Sequence, residues 1–154
     1  IGWAKPTPFN PWNLQNPKRD SALISLAGPA SNFILATVFA LPIRLGLVPF
    51  LNPFGIGNAS GVFTLLQPVE KLGFLLSGMI MLNIILGLFN LIPIHPLDGF
   101  KVVGGLLSKS LYYRWLELEK LGPILLLTLL FFGSGLISLI LSPLMALILQ
   151  ILVG

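Results

Sequence analysis

Three long stretches of the chain carry no charged residue. They run between Asp20 and Arg44, between Lys71 and Asp98, and from Leu121 to Gly154. An apolar run of ~18 or more residues has the length to cross a bilayer. The pattern predicts membrane segments at 21–43, 72–97 and 121–150. Between them the polar positions cluster. Residues 1–20 hold four prolines, two tryptophans and three basic residues; proline disfavours helix interiors and strand ladders, and Trp3 and Trp12 suit the headgroup zone. This stretch is expected to be an interfacial loop, closing on Asp20 as a helix N-cap. The 52–69 connection is rich in Gly, Asn and Pro and is expected to be a loop. Residues 99–120 mix Lys, Arg and Glu with Tyr112, Tyr113 and Trp115, the make-up of a segment lying at the interface. The final 34 uncharged residues exceed one span. Gly133, Ser134, Gly135 and Pro143 interrupt them, so one long tilted helix and a span followed by a short re-entrant or interfacial helix both remain open.

Composition agrees with the pattern. The chain of 154 residues is 55% hydrophobic and 9% charged, with a mean hydropathy of +0.94; water-soluble domains carry roughly 25% charged residues. The expected fold class is all-α, a polytopic membrane bundle of about three transmembrane helices plus interfacial segments, forming one domain over 1–154. A net charge of +4, scattered along the chain, excludes a nucleic-acid partner and fits loops beside an anionic leaflet. Membrane lipid is the expected partner, and a homo-oligomer is allowed. With no cysteine, disulfides and thiolate nucleophiles are excluded. Basic residues concentrate at Lys5, Lys18 and Arg19 and at Lys101, Lys109, Arg114 and Lys120, which predicts that both segments face the cytoplasm. Asp98 then lies toward the cytoplasmic side of a prokaryotic cell membrane.

The polar residues inside the apolar stretches carry the chemistry. Gly28, Asn32 and Ala36 share one helix face, and so do Asn83, Gly87 and Asn90. Such stripes let helices approach closely and bond across the contact; plain packing explains them as well as a site does. Each is expected to pack on another helix or flank a wet cavity, and the first to find its partner outside this sequence. The stretch "FNLIPIHPLDGFKVV" is harder to explain by packing. A helix from Leu72 to Asp98 would reach ~39 Å at ~1.5 Å per residue, more than a hydrocarbon core of ~30 Å. Pro93 and Pro96 are expected to end it, leaving Asp98 on irregular, strand-like backbone, with Gly99 permitting a turn. A carboxylate near membrane depth is costly unless paired or coordinating a cation; an interfacial Asp98 paired with Lys101 is the plainer alternative. His95 is the single histidine and is expected to be a satisfied polar side chain.

Three pieces in order, "GWAKPTPFNP", "AGPASN" and "NLIPIHPLDG", resemble the site-2 protease family of intramembrane zinc metalloproteases. The resemblance implies that Asp98 is a zinc ligand. It implies that Asn90 lies near the metal and binds substrate backbone or an oxyanion, and that Asn32 supports the active site. The implied cofactor is zinc and the implied substrates are transmembrane proteins. The family's other two ligands and its general base belong to an HExxH helix. That motif is absent from these residues, so the chain is expected to be a fragment that neither holds catalytic zinc nor cleaves peptides alone. Phe100 stands where the family often has a second glycine. Two other classes compete: a noncatalytic membrane scaffold, and part of a cation or solute transporter using Asp98 as its cation site.

Overall fold

The computed structural model describes residues 16–54 and 59–154; the GWAKP loop, with Trp3 and Trp12, lies outside them. Among the described residues all regular structure is helical: α1 (Pro17–Arg44), α2 (Ala59–Leu65), α3 (Pro68–Asn90), α4 (Asp98–Leu106), α5 (Lys109–Glu117), a 3-10 turn (Leu118–Leu121), α6 (Gly122–Phe132) and α7 (Ser134–Val153). The all-α reading is confirmed.

α1 starts earlier than Asp20. Pro17 takes the first helical turn, where its missing N–H costs nothing, and Asn16 becomes the N-cap. Asp20 instead accepts a hydrogen bond from the Asn16 amide at 3.0 Å. α3 opens on a capping box: Pro68 occupies the first turn and the Glu70 carboxylate accepts the Gln67 amide N–H at 2.8 Å. It closes at Asn90, as the prolines dictate, and 91–97 is turn and bend rather than strand. The 121–154 stretch divides at Gly133 into α6 and α7, while Pro143 is carried inside α7. Asp98 is the first residue of α4.

α1 packs against both α3 and α4, and α7 lies against α1 and α3. The core sits between α1 and α3: Ala36, Ala40 and Ile43 meet Ile80 and Ile84, each at most 7% exposed, with Val48 closing the end. Two positions of the Gly28–Asn32–Ala36 face find partners within this chain, Ala36 in this core and Gly28 at Asp98 of α4. On the second stripe, Gly87 leaves room for the Phe33 ring of α1, while the Asn83 amide donates back to its own helix at Met79 O, 2.8 Å. At the far end the Arg44 guanidinium donates to the Ile151 carbonyl, a cation placed where α7 presents its last carbonyls.

Outward-facing positions are apolar. Leu75, Leu82 and Leu86 of α3 and Leu147 and Ile151 of α7 are about half exposed, an arrangement that suits hydrocarbon and not water. Among the described residues α1 and α3 are the two helices long and apolar enough to cross a membrane; the described apolar part of α7, Ser138–Val153, is shorter.

One buried polar contact ties the loop after α1 to α3. Ser77 is fully buried; its hydroxyl donates to Gly73 O at 2.7 Å and accepts the Leu51 amide N–H at 3.0 Å. Ser77→Ala strands that amide, at an expected cost of ~1–3 kcal/mol. Thermal unfolding in detergent measures it, and an unchanged midpoint would exclude the bond.

Candidate functional site

The site is built where α4 begins. Leu97, in extended conformation, caps α4, and the turn before it is held by Leu97 N–H donating to Ile94 O at 2.8 Å. This fixes the direction in which Asp98 leaves the backbone. Its carboxylate points at α1: a Cβ built on Gly28 would lie 2.9 Å from Asp98 Oδ2. Two segments singled out separately in the sequence, AGPASN and PLDG, thus meet side chain to backbone. The glycine is there because any larger residue would occupy the carboxylate's place.

Gly99 plays a different part from the one expected. It is buried in the first turn of α4, and a Cβ there would fall 2.2 Å from the Leu91 carbonyl oxygen and 2.6 Å from that of Ile92. Its role is close approach of two backbones, which seats α4 against the turn that follows α3.

Asn32 stands one turn beyond Gly28 on α1, and Asn90 ends α3; both are half-buried. Among the described residues no hydrogen bond engages either amide side chain, and none engages the Asp98 carboxylate. Gly28 and Asp98 are brought together.

His95 is not the fully satisfied side chain expected: its Nδ1 is buried with no hydrogen-bond partner among the described residues. Its Nε2 lies 3.2 Å from Glu119 Oε1, and its ring meets Phe100 edge-on at 5.7 Å. Phe100, 4% exposed, stacks on Trp115 at 4.8 Å, and Trp115 Nε1 donates to Phe100 O at 2.9 Å. The larger residue at the position often held by glycine thus cements α4 to α5. Gly122 is buried against the His95 backbone, with room for no Cβ: one there would lie 2.4 Å from His95 O. Sequence reasoning missed Gly28 as a contact of Asp98, and Glu119 and Gly122 as supports of the loop. The i, i+4 glycine one turn before Asn32 was the one available signal.

A family model described as Peptidase family M50 matches residues 10–132. The chain belongs to peptidase family M50. This is the site-2 protease family indicated by the motifs. Two curated relatives carry consistent names. YwhC of Bacillus subtilis (strain 168), a candidate zinc metalloprotease by its name, is 33% identical over 145 residues, covering 94% of this chain. The zinc metalloprotease MJ0392 of Methanocaldococcus jannaschii is 32% identical over 121 residues, covering 76% of this chain. The chain spans 60% of the first relative's length and 29% of the second's. No solved structure matches the chain.

The donor set sets a limit on zinc in this M50 chain. A catalytic zinc site takes three protein ligands. Among the described residues no group of three or more His, Cys, Asp or Glu comes together, and the sequence's one histidine is turned to Glu119. These residues cannot hold zinc by themselves. Asp98 has the chemistry of a single oxygen donor: it is half-buried, without a hydrogen-bond partner among the described residues, and cradled by a glycine.

Proposed function

We propose that the chain is the PLDG-bearing part of an intramembrane zinc metalloprotease that cleaves transmembrane segments of membrane proteins, as in regulated intramembrane proteolysis. The observation that carries the reading is the seating of the Asp98 carboxylate on Gly28. A carboxylate that only solubilised an interfacial loop would have no need of a glycine cleared for it on an apolar helix.

In this reading Asp98 supplies one metal ligand in the complete protein. Zinc would supply Lewis acidity and a nucleophile usable near neutral pH. The chain's own residues do the rest. Gly28 and the Leu97 cap hold the carboxylate's direction, and the Gly99 contact holds its height on α3. Asn32 and Asn90 present amides able to take both the N–H and the C=O of an unwound substrate backbone. The apolar outer faces of α1 and α3 keep the site within a multi-pass membrane protein, with Asp98 toward the cytoplasmic side where the basic residues gather.

The test uses the complete protein. Asp98→Ala is expected to remove most of the bound zinc, measured by metal analysis after gel filtration, while the thermal midpoint of the metal-free protein moves little because Asp98 makes no hydrogen bond among the described residues. Equal zinc in wild type and variant would take Asp98 out of the metal site and, with it, remove the proteolytic reading of this chain's geometry.

A further inference from the structure

Helix α5 has no buried residue, although it lies beside α4. Tyr112 and Trp115 turn toward α4, where a Cβ on Gly104 would touch both. Its next face is uncovered. Leu111, and Leu118 in the turn that follows, are 52% and 42% exposed and line one surface. With Leu107 and Trp115 they form a shallow groove of about 360 Å³, and the remaining lining residue is Arg114.

The depth of this groove is fixed by α1. In the first turn of α1, Lys18 donates through Nζ to the carbonyl of Leu107, a groove residue, and its ammonium lies 5.7 Å from the centre of the Tyr112 ring. A Cβ on Gly105 would fall 2.3 Å from that of Ala22. The groove is therefore level with the start of a helix long enough to cross a membrane, where Trp, Tyr, Lys and Arg sit among lipid headgroups. A guanidinium is suited to phosphate, which it can grip through two parallel N–H bonds. Exposed Arg19 and Lys109 add positive charge at the same end. Of the acids nearby, Glu119 is engaged by His95 and Asp20 by the Asn16 amide, leaving Glu117 at the polar edge of α5.

We infer that this groove binds a phospholipid with an anionic headgroup, its phosphate on Arg114 and one acyl chain along Leu107, Leu111, Trp115 and Leu118. The inference is independent of the proteolytic reading. α5 is a lipid-holding helix, and α4, carrying Asp98 at its other end, is held level through it.

The experiment is native mass spectrometry of the complete protein in detergent, titrated with phosphatidylglycerol or phosphatidylcholine. Wild type is expected to retain phosphatidylglycerol in preference. Arg114→Gln is expected to weaken that retention about fivefold, the effect of one basic residue facing an anionic surface. Leu111→Asn is expected to weaken both lipids. Both side chains are exposed, so the unfolding midpoint should hold, and Lys71→Gln at the opposite end of the α1–α3 pair should change nothing. Undiminished phosphatidylglycerol retention in Arg114→Gln, or phosphatidylcholine held as tightly by wild type, overturns the inference. So does a co-purified peptide that neither lipid displaces.

Discussion

Gly99→Ala is expected to destabilise the protein by ~3 kcal/mol or more. Overpacking a well-filled interior typically costs ~1–3 kcal/mol, with more where nothing can yield. Here the added carbon would lie 2.2 Å from the Leu91 carbonyl oxygen, 2.4 Å from its carbon and 2.6 Å from the Ile92 oxygen. All three are backbone atoms of the turn after α3, so no side-chain rotation relieves the clash. α4 must lift off that turn, and Asp98 with it. Thermal unfolding in detergent should show a clear fall in midpoint. Gly135→Ala is the control: a Cβ there meets nothing within 4 Å, and alanine is favoured over glycine in helices by up to ~1 kcal/mol. A Gly99→Ala variant as stable as wild type would mean that α4 does not seat against 91–92.

Gly28→Ala is expected to do the reverse, sparing the fold and disabling the site. Gly28 lies inside α1, where alanine raises helix propensity. Its added carbon would meet the end of a movable side chain, Asp98 Oδ2 at 2.9 Å, so the carboxylate swings aside without the backbone moving. Residues that orient a metal ligand typically matter ~10–100-fold in affinity or activity. Under the proposed function, the complete Gly28→Ala protein should lose zinc affinity and cleavage of a transmembrane substrate by that order, with an unchanged or raised thermal midpoint when both proteins are compared free of metal. Full activity at full stability would show that the cradle has no part in the chemistry.

Much of this architecture was legible in the sequence. Charge-free stretches marked α1 and α3, since nothing but a helix satisfies its own backbone in lipid. Pro93 and Pro96 marked the end of α3 because each removes a donor the helix needs. Asp98 and its motif were visible as residue types out of place in an apolar setting. What escaped was long-range. No periodicity pairs Gly28 with Asp98, because the pairing depends on how α4 turns back over α1. The start of α1 was misplaced because an acid near a helix start suits a cap and a first turn equally, and Pro17 decided between them. Gly99 looked like a turn residue because local rules know its φ freedom but not which carbonyls crowd it. Phe100 looked like a departure from pattern, and the stack on Trp115 shows what its bulk is used for.

The His95 joint has a mechanical consequence. The proline-rich stretch between α3 and α4 is gripped twice from the same side, by the Glu119 carboxylate and by the bare backbone of Gly122. No slack exists at the second grip, for there is not space for one methyl group. The contact falls three residues upstream of Asp98. A side chain at position 122 would therefore have to displace the stretch that leads into α4.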